Sequence, residues 1–94
     1  MNNEQQQQLK RVMATAGEAI LEFYKQRLFD EETKGAFTAD QLRFFVNNNV
    51  EHAVSPSTAD RVLRNLRSQS KLDYIVLNRG RSLYRFMPLG TTKA

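Results

Sequence analysis

The 94-residue sequence has no cysteine, no tryptophan and a single histidine. The absence of cysteine excludes disulfides, thiolate metal ligands and cysteine nucleophiles. His52 has no pair of carboxylates at metal-ligand spacing, so we expect a surface loop residue and not a metal ligand or a base. The four glycines form neither a G-x-G-x-x-G nor a P-loop pattern. The sequence therefore predicts no catalytic residues, no metal and no cofactor, and hence a protein that is not an enzyme.

Long apolar runs are also missing, and 26% of the residues are charged. No segment is long and apolar enough to cross a membrane, and the start of the chain lacks the charged-then-apolar pattern of a signal peptide. A cytoplasmic location is favoured by default. The length predicts one small domain over residues 9–88, preceded by a flexible, glutamine-rich start over 1–8 and followed by a disordered tail over 89–94.

The charge of the chain is unevenly distributed. Residues 57–86 contain seven basic and two acidic side chains, whereas residues 1–56 contain six basic and eight acidic ones. The net positive charge of +4 therefore arises from the second half of the sequence. This asymmetry is typical of a surface that binds a polyanion and is supported by a nearly neutral scaffold.

An apolar stripe with helical spacing predicts a long first helix over residues 4–28, with Gly17 inside it. The stripe consists of Leu9, Val12, Met13, Ala16, Ala19, Ile20, Phe23 and Tyr24. It is wider than a small helical core requires, which leaves apolar surface for a partner. Phe44 also points away from Leu42 and Phe45, the inward residues of the second helix. We therefore expect a homodimer with Leu9, Val12 and Phe44 at its interface. The alternative is a shorter first helix in a monomeric protein.

Capping residues mark two further helices. Thr38 and Gln41 form a capping box, so a second helix begins there and ends within Asn47-Asn48-Asn49. The acidic segment before it, residues 30–35, is expected to be an exposed turn. Ser55 and Pro56 suit the cap and first position of a third helix. Its apolar side is Ala59, Val62, Leu63 and Leu66, and its polar side is Ser57, Thr58, Arg61, Arg64, Asn65 and Ser68.

The remainder of the chain predicts a β-hairpin with a basic tip. Residues 72–77 and 82–86 are rich in β-branched and aromatic side chains, and Asn78-Arg79-Gly80-Arg81 interrupts them. The aromatic residues of the chain could in principle stack on bases, but in a domain without tryptophan we expect them to form the core.

The run S-P-S-T-A-D-R-V-L-R-N-L-R, followed by N-R-G-R-S-L-Y-R-F, resembles the recognition helix and wing of the winged helix-turn-helix superfamily. The resemblance spans residues 36–88. It implies an α+β fold of three helices with a short first strand, Ala36-Phe37, and a C-terminal hairpin wing. Two features depart from the pattern. The connection between the second and third helices is long, and Ser70 stands where many such proteins have glycine.

The resemblance implies a protein that binds double-stranded DNA, either a small transcriptional regulator or an accessory factor in replication or recombination, of a size that suits a phage or mobile element. The third helix is expected in the major groove and the wing on the adjacent backbone or minor groove. The expected DNA-binding residues are Ser57, Thr58, Arg61, Arg64, Asn65, Arg67, Ser68, Lys71, Arg79, Arg81 and Arg85. Among these, Arg61 and Arg64 are expected to read guanine and Asn65 adenine, while Arg67, Lys71 and Arg85 hold phosphates. The alternative is a winged helix module that contacts an acidic protein.

Overall fold

A computed structural model describes residues 13–90 and contains three helices and one three-stranded antiparallel sheet within that range. The elements in chain order are α1 (Ala16–Leu28), β1 (Ala36–Thr38), α2 (Ala39–Asn48), α3 (Pro56–Ser68), β2 (Asp73–Asn78) and β3 (Leu83–Met87). The predicted α+β class is confirmed. None of the helices in the described part of the chain is long and apolar enough to cross a membrane.

The hairpin strand β3 lies in the centre of the sheet, between β1 and β2. Phe37 of β1 lies opposite Tyr84, and Tyr74 of β2 lies opposite Phe86. Because side chains alternate along a strand, these aromatic residues share one face of the sheet. The prediction that Ala36-Phe37 forms a short strand beside the hairpin is confirmed.

Aromatic rings fill the space between that sheet face and the helices. Phe37 and Phe86 stack with their ring centroids 4.1 Å apart, and Phe23 of α1 meets both rings edge-on at 5.7 and 5.8 Å. All three side chains are buried, with Ile20 and Leu42 beside them in the core. Edge-on and offset ring pairs are the favoured geometries, and each stabilises by about 0.5 to 1.5 kcal/mol beyond its buried area. The expected aromatic core is confirmed.

The first helix is shorter than predicted. Thr15 caps α1, since its Oγ1 accepts a hydrogen bond from the Glu18 N–H at 3.1 Å. Just before this cap, Met13 pairs in parallel with Val50, and its N–H donates to the Asn49 carbonyl at 2.7 Å. One helix over residues 4–28 is therefore wrong, because the backbone at Met13 bonds to a distant segment instead of to its own helix.

Because α1 is shorter than predicted, most of its apolar stripe is needed for the core. Ala19, Ile20, Phe23 and Tyr24 are buried in the core, so the described part of the stripe leaves little apolar surface for a partner. Gly17 lies in the first turn of α1 instead of its middle. Leu9, Val12 and the predicted flexible start over 1–8 lie outside the described residues.

The predicted capping box of α2 is present. Thr38 Oγ1 accepts the Gln41 N–H at 3.2 Å, and Gln41 Oε1 accepts the Thr38 N–H at 3.0 Å. The helix ends within the asparagine triplet, as expected, but without a left-handed residue. Asn49 has a φ of −126°, and its Nδ2 donates to the Phe45 carbonyl at 2.7 Å. Its side chain therefore satisfies a carbonyl that the end of the helix leaves without a partner.

The turn between α1 and β1 depends on a glycine. Gly35 has a φ of +89°, and a Cβ atom there would lie 2.8 Å from the Phe86 carbonyl oxygen. Only glycine allows this close approach of the turn to β3. Earlier in the turn, Asp30 accepts hydrogen bonds from the Thr33 hydroxyl and N–H at 2.8 and 2.9 Å, and these bonds lower the pKa of its carboxyl.

The link from α3 to β2 shows how Ser70 ends the helix at a position where glycine is common. Ser70 adopts a φ of +63°, the conformation usually taken by glycine after a helix. The Ser70 N–H donates to the Arg67 carbonyl at 3.0 Å, and the Lys71 N–H donates to the Leu66 carbonyl at 2.9 Å. This pair of bonds is the Schellman motif. At the other end of the hairpin, Leu89 and Gly90 form a turn, and the rest of the predicted tail lies outside the described residues.

Candidate nucleic-acid interface

The outward side of α3 forms a polar ridge. Ser57, Arg61, Arg64 and Ser68 recur at intervals of three or four residues and are all exposed. The opposite side, with Ala59, Leu63 and Leu66, is buried, and Val62 is half-buried. The predicted division of this helix into an apolar and a polar side is confirmed.

The start of α3 is organised by hydroxyl groups. Ser55 Oγ accepts the Thr58 N–H at 3.2 Å and donates to Thr58 Oγ1 at 2.9 Å. Pro56 occupies the first helical position, as predicted. Thr58 is thus engaged in the cap and half-buried, whereas Ser57 is exposed at the positive end of the helix dipole.

The hairpin and α3 enclose a groove of about 270 Å³. We call it the basic groove, because three arginines line it: Arg64 and Arg67 from α3, and Arg79 from the hairpin tip. Tyr74 and Val76 of β2 and Tyr84 of β3 line its hairpin side, and Asp60 is its one acidic lining residue in the described part of the chain. The fold thus brings together cationic side chains that are up to fifteen positions apart in the sequence.

The hairpin tip is held in a defined turn. Asn78 Oδ1 accepts the Arg81 N–H at 3.0 Å, and the Ser82 N–H donates to the Arg79 carbonyl at 3.1 Å. Ser82 adopts a φ of +50°, and its carbonyl accepts the Ala39 N–H at the start of α2 at 3.0 Å. The turn is therefore bonded both to itself and to the start of α2, which holds the hairpin tip against that helix.

Arg67 connects α3 to the hairpin. Its Nε lies 3.4 Å from Asp73 Oδ1, and its guanidinium lies over the Tyr74 ring at 4.7 Å from the centroid. An arginine that pairs with a carboxylate and stacks on an aromatic face holds two elements at a fixed separation. Sequence reasoning assigned Arg67 only to phosphate and missed this contact, which crosses the end of α3.

A second ion pair connects α2 to α3. Arg43 Nη2 lies 2.7 Å from Asp60 Oδ2, and its Nε donates to Asp60 Oδ1 at 3.4 Å. The hydrogen bond to Asp60 raises the pKa of Arg43. Both acidic residues of the 57–86 segment, Asp60 and Asp73, are therefore paired with arginines, which reduces their opposition to an anionic ligand. The pairing of Arg43 with Asp60 was not predicted, since residues seventeen positions apart carry no local signal.

The other predicted site residues are distributed around this groove. Ser68 adjoins Arg64, Arg67 and Tyr74 in a shallower depression, and its hydroxyl donates to the Asn65 carbonyl at 3.1 Å. Asn65, Lys71 and Arg81 are exposed but do not line the basic groove.

Arg85 is separated from the others. It lies on β3 between Tyr84 and Phe86, opposite Ala36 on one side and Ile75 on the other. Since Phe86 faces the core, Arg85 faces the opposite side of the sheet, away from α3. Its Nε is buried and makes no hydrogen bond in the described part of the chain. The sequence contained this signal, because Tyr84-Arg85-Phe86 alternates aromatic, charged and aromatic side chains.

His52 is exposed in the connection between α2 and α3, as predicted. That connection is longer than in a tight helix-turn-helix and is anchored by Asn47, whose Oδ1 accepts the Val54 N–H at 2.9 Å. Across residues 13–90, no three His, Cys, Asp or Glu side chains are grouped so that they could hold a metal ion.

Comparison with known proteins finds no matching family model, no matching curated protein and no matching solved structure. The geometry and charge of the basic groove and of the ridge of α3 are therefore the features that indicate a function.

Proposed function

We propose that this chain is a winged helix protein that binds double-stranded DNA. In this proposal α3 enters the major groove, and the β2–β3 hairpin is the wing that contacts the adjacent backbone or minor groove. The succession of helix, strand, two helices and hairpin, with β3 at the centre of the sheet, supports this assignment. It is the arrangement that the resemblance of residues 36–88 implies.

The observation that carries the proposal is the convergence of Arg64, Arg67 and Arg79 on one groove between helix and hairpin. Guanidinium groups suit phosphate and base edges because they donate pairs of hydrogen bonds in a fixed plane. Like charges that line one groove repel each other, and a bound polyanion would relieve that repulsion. Asp60, which also lines the groove, is offset by Arg43, and Asp73 offsets Arg67. Arg64 and Arg79 are therefore the groove cations without an acidic partner in the described part of the chain.

The ridge of α3 supplies the proposed base contacts. From Ser57 to Ser68 it is about 16 Å long at the helical rise, and an α-helix fits the roughly 12 Å width of the major groove. Arg61 and Arg64 are assigned to guanine edges, Asn65 to adenine, and Ser57 to a phosphate at the helix N-terminus.

The hairpin contributes backbone contacts through Arg79 and Arg81 at its tip, with Lys71 beside the end of α3. Arg67 is assigned mainly to holding the wing against α3, because it already contacts Asp73 and Tyr74. Arg85 has no place in the proposal, since it faces away from α3. As the chain has no cysteine for a redox switch, we assign it a constitutive role in transcription, replication or recombination.

The test is the salt dependence of binding to a fluorescently labelled duplex of random sequence, followed by anisotropy. If about five cationic side chains neutralise phosphates, log K should fall against log salt with a slope of about −4 to −5. Lys25→Ala is the matched control, because Lys25 is an exposed cation on α1 outside the basic groove.

A slope near zero, or no binding at about 50 mM salt, would refute the proposal, since phosphate contacts dominate affinity for DNA at low salt. If the chain then captured an acidic protein through the same arginines, the alternative of a protein-interaction module would replace it. The Lys25→Ala variant should keep the slope of the wild type.

A further inference from the structure

A second groove, between α1 and α2, has no part in DNA binding as proposed. Its volume is about 580 Å³, roughly twice that of the basic groove. Phe23 and Phe45 line it, and Phe44 stands at its side with 73% of its surface exposed. We call it the aromatic groove. Phe44 is exposed, as its position on the second helix predicted.

Large aromatic side chains rarely remain in water without a function, and an exposed apolar patch usually marks an interface. Phe29, directly after the end of α1, is 80% exposed. Within residues 13–90, Phe29 and Phe44 are the most exposed of the large hydrophobic side chains.

The charges beside the aromatic groove are of both signs. Asp40 of α2 has a side chain that is 93% exposed, and its Oδ1 lies 3.3 Å from Arg43 Nη1. Arg27 of α1 lies over the Phe23 ring at 5.2 Å and donates from Nη2 to Gln41 Oε1 at 3.1 Å. Its Nε has no hydrogen-bond partner among the described residues. The lining of the aromatic groove therefore carries both a guanidinium and a carboxylate, which does not favour a partner with charges of one sign.

A surface that carries both signs of charge, a projecting aromatic ring and a groove lined by aromatic rings is complementary to itself. Self-complementarity is what a two-fold interface requires, because each copy presents the same surface to the other. In such an interface Phe44 of one copy would meet the groove of the other, and Asp40 would approach the Arg27 side.

We propose that the chain forms a two-fold homodimer in which Phe44 of each copy inserts into the aromatic groove of its partner. The residues that line this groove in the described chain do not line the basic groove. Both basic grooves therefore stay open in the dimer. This interface differs from the predicted one, since it uses the α1–α2 groove in place of surplus apolar surface on a long first helix.

The experiment is sedimentation equilibrium of the full chain from about 1 to 100 µM, since dimer content depends on protomer concentration. The wild type should dimerise, and Phe44→Glu should weaken the dimer by about 30-fold or more, as expected for a central aromatic contact. Ile75→Glu is the matched control, because Ile75 is an exposed apolar residue on the hairpin, 42% accessible. It should leave the dimer intact.

Thermal unfolding followed by circular dichroism checks that each variant folds, and Phe44→Ala replaces the glutamate variant if it does not. A monomeric wild type at the highest concentration overturns the proposal. So does a dimer that a folded Phe44 variant leaves unchanged. If a monomeric wild type begins to self-associate once residues 1–12 are deleted, the chain's own N-terminal segment occupies the groove, which also overturns it.

Discussion

The two grooves of this fold differ in the side chains that line them. At the basic groove, Arg43 offsets Asp60 and Asp73 offsets Arg67, so Arg64 and Arg79 are left as cations without an acidic partner among the described residues. Beside the aromatic groove, Asp40 is paired with Arg43 at 3.3 Å, and phenylalanines line the groove itself. The first groove therefore suits the proposed polyanion, and the second suits the proposed second copy of the chain.

Both grooves depend on the framework that holds the sheet against the helices, and Gly35→Ala should break that framework. The new Cβ would meet the Phe86 carbonyl at 2.8 Å and would also be strained at a φ of +89°. We expect a loss of about 2 to 4 kcal/mol in the free energy of unfolding, measured by urea titration.

Gly90→Ala separates the cost of the positive φ from the cost of the contact with Phe86. Gly90 has a φ of +82°, but a Cβ atom there has nothing within 4 Å. The cost should be only about 1 to 2 kcal/mol, from the backbone conformation alone. Equal losses at Gly35 and Gly90 would show that the contact with Phe86 has no energetic weight.

The roles within the basic groove can be sharpened by comparing its two sides. Arg64→Ala should weaken binding to a preferred DNA site by about 1 to 3 kcal/mol and relax its sequence preference. The double change Arg79→Ala with Arg81→Ala should weaken all sequences to a similar degree, because it removes backbone contacts. Binding constants for a selected site and for scrambled duplexes measure both effects.

The reverse pattern would contradict these assignments. If the hairpin variant changed sequence choice and Arg64→Ala did not, the wing would be the reading element. Neither set of variants should alter dimerisation, since none of these arginines lines the aromatic groove.

The smallest effect on stability is expected in the link between α3 and β2. Ser70→Gly removes the strain of a φ of +63° and should stabilise the fold by about 0.5 to 1 kcal/mol. The Schellman bonds from Ser70 and Lys71 use backbone atoms only, so the variant retains them. A decrease in melting temperature would show that the serine side chain has a contribution of its own.

Local chemistry explains which parts of the fold could be predicted from the sequence. Thr38, Ser55 and Pro56 act on backbone groups within four residues, so the starts of α2 and α3 followed from the sequence. The start of α1 did not, because Met13 bonds to Asn49 and pairs with Val50, far along the chain.

The distinction between local and long-range interactions also applies to the candidate site. The polar side of α3 followed from helical spacing, and the basic tip of the hairpin from the break at residues 78–81. The pairing of Arg43 with Asp60 and of Arg67 with Asp73 arises only when the elements pack together. Arg85 could have been excluded from the site beforehand, because side chains alternate along a strand and Arg85 therefore faces the side of the sheet that Phe86 does not.

The most direct test of the central claim is an NMR titration of the ¹⁵N-labelled chain with a short duplex at about 50 mM salt, where phosphate contacts are strong. We predict that the amide signals of Arg61, Arg64 and Arg79 shift, together with those of their neighbours on α3 and at the hairpin tip. The signals of Gln26 and Phe44 in the aromatic groove should stay in place. Shifts concentrated at the aromatic groove, or no shifts anywhere, would contradict the assignment of the basic groove to DNA.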